Sequence, residues 1–380
     1  MPINEESDVA TAVFTSELGL PSKVVSVHEI ELGPLPEDQV AIDMLASSIN
    51  PVDKLTIEGG SPVPLNNISF KLSKKNNSTE NETIVSTMLG LEGVGRVVKI
   101  GSNAKKAING DLEVGDYVIP FSFGKFGSWS TRIHLSPSDL VVFKKDDRIN
   151  ASDLCSVNIN ISTAYRMLLD IEKLNAGDYV IQNGANSSVG KYVIQLANIW
   201  GFKTINIIRD RLDFEKDVSD MKKLGADIVI KDTELDSSTT KDLLGSLSSP
   251  IRLGLNFVNG PNAAKMANYL SHGATFATYG TIVNEPIPIY PNLFLLQRLK
   301  FIGFSLFEFY YGNPKEEWVK TWISIVDLLK SKKLKPQDSQ HTVLYDLSAS
   351  NKHFDTEKFR NSVLYAINSK QKTLLILNKD

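Results

Sequence analysis

Tyr179-Val-Ile-Gln182 followed by Asn183-Gly-Ala-Asn-Ser-Ser-Val-Gly190 reads as a short apolar strand that runs through small residues into a helix. Outward from it the pattern repeats. A helix over 189–200 is followed by a strand at 204–208, a helix at 214–224 and a strand at 227–230. A helix near 241–247, a strand at 253–258, a helix at 263–270 and a strand at 274–278 continue the series. Strands alternating with helices imply a parallel, doubly wound α/β sheet of Rossmann type, with helices on both faces. Upstream, β-branched runs at 24–30, 39–46, 94–100 and 117–121, bounded by Gly, Pro and Asp, predict a strand-rich segment. Downstream, an amphipathic helix (318–329), a helical stretch (357–367) and a last strand (373–377) suggest a returning tail. The expected division is a β-rich domain over 1–155, the nucleotide-binding domain over 156–310, and a return segment over 311–380. The polar insert 66–83, with its Asn, Ser and Lys, reads as a solvated surface loop.

A strand that opens a helix through small residues presents free backbone N–H groups and the positive end of the helix dipole, which suits a pyrophosphate. The usual dinucleotide fingerprint has more glycines. Here Gly184 and Gly190 flank Ser187 and Ser188, whose hydroxyls can themselves donate to phosphate. The next strand is more specific. An NAD site carries Asp or Glu there, about 20 residues on, to accept from the ribose 2′-hydroxyl. This chain instead reads Ile208-Arg209-Asp210-Arg211. Two arginines at a strand's C-terminal edge suit a dianionic 2′-phosphate, so NADPH is expected over NADH.

Composition narrows the classes. The 380 residues exceed one ordinary core, and 42% hydrophobic with 22% charged residues is usual for a folded protein. A net charge of −3 gives no reason to expect nucleic acid or an anionic membrane as partner. The most apolar region, 287–309, is broken by Pro288, Pro291, Arg298 and Lys300, so no membrane helix is expected. Cys155 is the only cysteine, which excludes an intrachain disulfide. The first residues, MPINEESDVA, are acidic and match neither a presequence nor a secretory signal. The protein is therefore expected either to stay where it is made or to be a processed form.

Gly90-Leu-Glu-Gly-Val-Gly95 resembles the Gly-His-Glu-x-x-Gly signature of zinc alcohol dehydrogenases, with Leu91 where the zinc-binding histidine would stand. The five histidines (His28, His134, His272, His341, His353) show no paired spacing, so no metal site is expected. With the Gly/Ser loop and Arg209-Asp-Arg211, this segment makes the chain similar to the zinc-free branch of the medium-chain dehydrogenase/reductase superfamily. More narrowly it resembles the fungal mitochondrial 2-enoyl thioester reductases. The matching stretches are Ile49-Asn-Pro-Val-Asp53, Gly115-Asp-Tyr-Val-Ile-Pro120, Phe126-Gly-Ser-Trp129, Thr163-Ala-Tyr165, Leu255-Asn256 and Thr278-Tyr-Gly280.

The resemblance implies a discontinuous, GroES-like β-rich catalytic domain beside the Rossmann domain. It implies NADP contacts at Asn160, at Asn186, Ser187, Ser188 and Val189, and at Arg209, Asp210 and Arg211. Further contacts are implied at Tyr279, Gly280, Thr281 and Ile282, at Phe304, Ser305 and Leu306, and at Lys372. Members of that family are NADPH-dependent homodimers that saturate the C2=C3 bond of enoyl thioesters, carried on acyl carrier protein or CoA, in the mitochondrial matrix. A cytoplasmic location is the alternative for this chain. The apolar segment 300–305 would be an exposed sheet edge in a monomer.

One position departs from the family. Its proton-donating tyrosine follows the Asn-Pro-x-Asp stretch, and here Glu58-Gly-Gly-Ser-Pro62 places Ser61 there. No tyrosine precedes Tyr117. A serine hydroxyl is far less acidic than a phenol of pKa about 10. Three readings stand open: an enoyl thioester reductase with water or another donor in place of the tyrosine, a quinone or enone reductase, and an NADPH-binding paralogue with weakened catalysis.

Overall fold

The computed structural model describes residues 8–61, 63–73, 82–121, 126–337, 355–369, 372–378 and 380. The chain divides into two units, residues 1–158 with 338–380, and residues 159–337.

The first unit is built from antiparallel strands. Its first six are β1 (Asp8–Thr15), β2 (Val25–Gly33), β3 (Val40–Ile49), β4 (Ile68–Leu72), β5 (Thr83–Met88) and β6 (Gly93–Ile100). A small hairpin of β7 (Lys106–Ala107) and β8 (Gly110–Asp111) follows, then β9 (Tyr117–Pro120), β10 (Arg132–Leu135) and β11 (Leu140–Phe143). β1, β2, β4 and β5 close into a barrel around Ala10, Ala12, Phe14 and Ile30. A second sheet runs β10-β3-β6-β9-β11, and the chain's last strand, Thr373–Ile376, pairs with β3 at Ala46–Ile49. Helix Thr356–Asn368 covers this unit's core with Phe359, Val363, Ala366 and Ile367.

Two expectations change here. The insert 66–83 is not all loop: Ile68–Leu72 is a strand that pairs with both β2 and β5. Phe70 packs edge-on against Phe14 at 4.9 Å, and Leu72 packs beside it, anchoring this stretch in the barrel. Its middle, 74–81, lies outside the described residues. The return point also moves. The described part of the returning chain begins at 355, and helices Leu306–Gly312 and Lys315–Lys330 fall in the second unit rather than in a return segment from 311. Burial of Trp318, Trp322 and Ile325 explains why helix Lys315–Lys330 stays there. The indole of Trp322 donates to the Tyr310 hydroxyl (3.1 Å) within the same unit.

The second unit carries β12 (Tyr179–Asn183), β13 (Lys203–Ile208), β14 (Ile228–Lys231), β15 (Ile251–Asn256), β16 (Thr275–Thr278) and β17 (Lys300–Gly303). They form one parallel sheet in the order β14-β13-β12-β15-β16-β17. The order reverses at β12 and β15, the position where such sheets bind ligands beyond their strand ends. The expected doubly wound sheet is therefore present, buried by Ile181, Ile205, Leu270 and Phe276 among others.

Candidate active site

In the second unit, β12 ends at Asn183, and Gly184 turns the chain with φ +60°. Ser187 caps helix Ser188–Trp200 by accepting from the Gly190 N–H (3.1 Å). Gly190 has no room for a side chain, since a Cβ there would lie 2.5 Å from the Ala185 carbonyl oxygen. Helix and loop are thus in backbone contact, and the first turn of the helix faces the strand ends.

Buried amides hold this edge of the sheet. The Asn183 side chain donates to Asn256 (2.8 Å) and accepts from the N–H groups of Phe257 (2.7 Å) and Val258 (3.1 Å). Asn256 in turn donates to Asn259 and Thr278. Phe257 stacks on Tyr279, with centroids 5.3 Å apart and planes 10° from parallel. A Cβ on Gly280 would strike that ring at 2.3 Å. The Tyr279 hydroxyl is buried beside Ser187 and completes no hydrogen bond among the described residues; burial holds its pKa above the ordinary phenol range.

Beyond β13, residues 209–213 are exposed. Arg211 pairs with Asp217 (2.5 Å), and Asp217 also accepts from the Asn186 side chain (3.0 Å), tying the arginine loop to the Gly/Ser loop. Arg209 makes no ion pair among the described residues. These features fit a dinucleotide: a glycine-tight helix start, an unfilled buried hydroxyl beside it, and arginines one strand away.

Of the residues carried over from the resemblance, the structure brings four groups to the C-terminal ends of strands of this one sheet. Asn186–Val189 follow β12, 209–211 follow β13, 279–282 follow β16, and 304–306 follow β17. Asn160 lies in the same unit, buried in a π-helical turn over Val157–Ile161. Sequence reading missed Asn183, Phe257 and Asp217. The signal was an asparagine at the end of an apolar strand, which buried backbone satisfaction explains.

Lys372 and Ser61 belong to the first unit. The Lys372 ammonium donates to the Asn50 side chain (2.5 Å) and stands 4.0 Å from the fully buried Glu92. Burial lowers the lysine's pKa, while Glu92 and Asp53 oppose that fall. Asn50 also donates to Glu92 (2.9 Å). Beside this cluster a recess is lined by Asp53, Thr56, Val63, Met88, Phe126 and Trp129. Asp53 caps helix Pro51–Glu58, accepting from Asn50 N–H (2.7 Å) and Leu91 N–H (3.1 Å). Its pKa is nevertheless pushed up to about 7 by burial, which outweighs both bonds. Leu91 itself is buried and apolar, and no group of three metal-ligating side chains occurs among the described residues. Ser61 accepts from the Val63 N–H (3.1 Å), a local turn.

No protein-family model matches the chain. Among curated proteins it is 34% identical over 331 residues to the mitochondrial enoyl-acyl-carrier-protein reductase of Rattus norvegicus, covering 87% of this chain and 81% of the relative. It is 33% identical over 370 residues to that of Schizosaccharomyces pombe, covering 97% and 94%. Among solved structures, the mitochondrial 2-enoyl thioester reductase Etr1p/Etr2p heterodimer from Candida tropicalis superposes with a TM-score of 0.81 at 27% identity, over 97% of this chain and 100% of that one. The Etr1p complex with NADP and crotonyl-CoA gives 0.81 at 26%, with the same coverage. With the Rossmann sheet, the Gly/Ser loop and Leu91 after Gly90 already in place, these likenesses mean that the chain belongs to the family of mitochondrial enoyl-acyl-carrier-protein reductases.

Proposed function

We propose that this protein is an NADPH-dependent oxidoreductase that saturates the C2=C3 bond of 2-enoyl thioesters. The observation that carries the reading is identity of one third across four-fifths of the rat enoyl reductase's length. NADPH, when bound, supplies the hydride that adds to C3. The chain's own part is to hold the dinucleotide at Asn186–Val189 and Tyr279, and its 2′-phosphate at Arg209 and Arg211. The negative charge that develops toward C2 must then be quenched by a proton. Ser61 is no acid near neutral pH, so a water molecule or another donor delivers it. A positioned acid typically contributes 10²–10⁴ in rate, so reduction without one is slower but not abolished.

A second reading, reduction of quinones or enones, is favoured by Ser61 itself, which stands where the resemblance expects the phenol and carries no proton of comparable acidity. A third is a paralogue that binds NADPH with little turnover. NADPH oxidation with crotonyl-CoA, set against a quinone panel, separates the three. Turnover with crotonyl-CoA supports the first reading, turnover with quinones alone replaces it with the second, and tight NADPH binding without turnover replaces it with the third. We further propose a homodimer joined at the β17 edge, a zinc-free site, and the mitochondrial matrix as compartment. The compartment rests on the relatives' names, with the cytoplasm as alternative, and imaging of a tagged full chain decides it.

A further inference from the structure

The loop after β13 presents an electrostatic problem. Between the two arginines stands Asp210, a carboxylate set where a dianionic phosphate is expected, and Arg211 is already engaged by Asp217. β14 lies beside β13 with Lys231 opposite Ile208, which brings its side chain to the start of the arginine loop. The Lys231 ammonium stands 3.3 Å from the Asp210 carboxylate and 4.9 Å from the Phe214 ring centroid. It is held from two sides, by a charge and by an aromatic face. The loop is already fastened to β14's end without it: the Asp210 N–H donates to Asp232 (3.0 Å), and the β13–β14 ladder is complete at this point. Lys231's charge is therefore surplus to the fold and suited to offsetting Asp210.

We propose that Lys231 sets this chain's preference for the phosphorylated cofactor by masking Asp210, the carboxylate between the two arginines. The inference rests on the NADPH reading above, and Lys231 is a positioning residue in it. It acts through Asp210, whose carboxylate would otherwise keep only the neutral Thr233 hydroxyl (3.4 Å) among the described residues and, its charge unmatched, would repel the 2′-phosphate and compete for Arg209 and Arg211. NADH carries no such phosphate and is indifferent to the pair.

The test is calorimetric titration of NADPH and NADH into the full chain. Lys231→Met keeps the aliphatic stem against Phe214 and removes the charge. It is expected to weaken NADPH by roughly three- to tenfold at low salt, in keeping with a partly exposed charge pair, and to leave NADH unchanged. Lys231→Arg is expected to retain NADPH affinity. Adding Asp210→Asn to Lys231→Met is expected to raise NADPH affinity above that of Lys231→Met alone, a rescue that a purely structural lysine would not show. Unchanged NADPH binding in Lys231→Met, equal weakening of both cofactors, or failure of Asp210→Asn to rescue would each overturn the proposal. Equal affinity of the wild-type protein for the two cofactors would overturn the NADPH reading itself, before any variant is made.

Discussion

Ser61 sits in a turn where its oxygen accepts from the Val63 N–H, while Val63 itself lines the recess beside Asp53. If the chain is an enoyl reductase lacking its acid, Ser61→Tyr is expected to raise crotonyl-CoA turnover by about 10²–10⁴, the range for one positioned acid. The gain belongs in kcat, because the acid acts in the transition state, and the NADPH dissociation constant stays put. Stopped-flow rates at saturating cofactor check it; no gain, with quinones turned over, transfers the assignment to quinone reduction. Asp53 gives a second prediction at this scale. Its carboxyl holds a proton to about pH 7 in the folded chain but only to about 4 when unfolded. Between those values the folded state binds more protons, so stability falls as pH rises from about 4 to 7 and levels off above. A shift of that size corresponds to about 4 kcal/mol across the window. Asp53→Asn also forfeits an acceptor for the Leu91 N–H, so its absolute stability drops. The quantity to measure is therefore the slope: denaturant midpoints between pH 4 and 7 are expected to lose part of their pH dependence in Asp53→Asn. An identical slope in both proteins would mean that Asp53 titrates normally.

At the scale of elements, the start of helix Ser188–Trp200 depends on one missing side chain. A Cβ at Gly190 would meet the Ala185 carbonyl at 2.5 Å, a backbone atom that cannot rotate aside. Gly190→Ala is therefore expected to lift the helix from the loop, costing about 1–3 kcal/mol as overpacking does. NADPH binding should fall by more than the stability loss alone would give. Thermal melts with and without NADPH measure both effects; normal melting with full affinity would mean that the contact is looser than drawn. The same element shows what the sequence discloses. A strand, small residues and a helix leave a readable trace in Tyr179–Gly190, because each local choice agrees with the parallel sheet. The arginines after β13 are legible for the same reason, since strand ends are where ligands sit. β4 was not legible: Ile-Ser-Phe-Lys-Leu lies beside a polar run, and what makes it a strand is pairing with β2 and β5 and the packing of Phe70 on Phe14. β1 escaped as well, because Asp8–Thr15 becomes a strand by closing a barrel with partners distant in sequence. Asp217 and Lys231 read as ordinary surface charges, and only the fold sets them against the arginine loop.

At the scale of the whole molecule, the two units differ in what covers their sheets. The barrel of the first closes on itself, beside an open antiparallel sheet, while the parallel sheet of the second ends at β14 and at β17, which pairs only with β16 among the described residues. Near that edge, Leu295 (76% exposed), Leu296 (75%) and Ile302 (40%) present apolar side chains to solvent, together with Phe294. An exposed strand edge flanked by large apolar residues templates association, and natural chains cover it or charge it. Here the neighbouring charge is slight: Lys300 is already paired with Glu172 inside the unit. Two copies joined β17 to β17 around a twofold axis would continue one sheet across both chains and bury the same apolar patch of each copy against that of the other, as an isologous interface requires. The expected sedimentation mass is thus twice the 42.0 kDa of the chain at micromolar concentration. Ile302→Lys with Leu295→Lys places only positive charges on both sides of the axis, whichever residue faces which. That pair of changes is expected to shift the mass to a single chain while the far-ultraviolet spectrum stays native. A wild-type protein that sediments at 42.0 kDa, or a double variant that remains paired, would place the interface elsewhere or remove it.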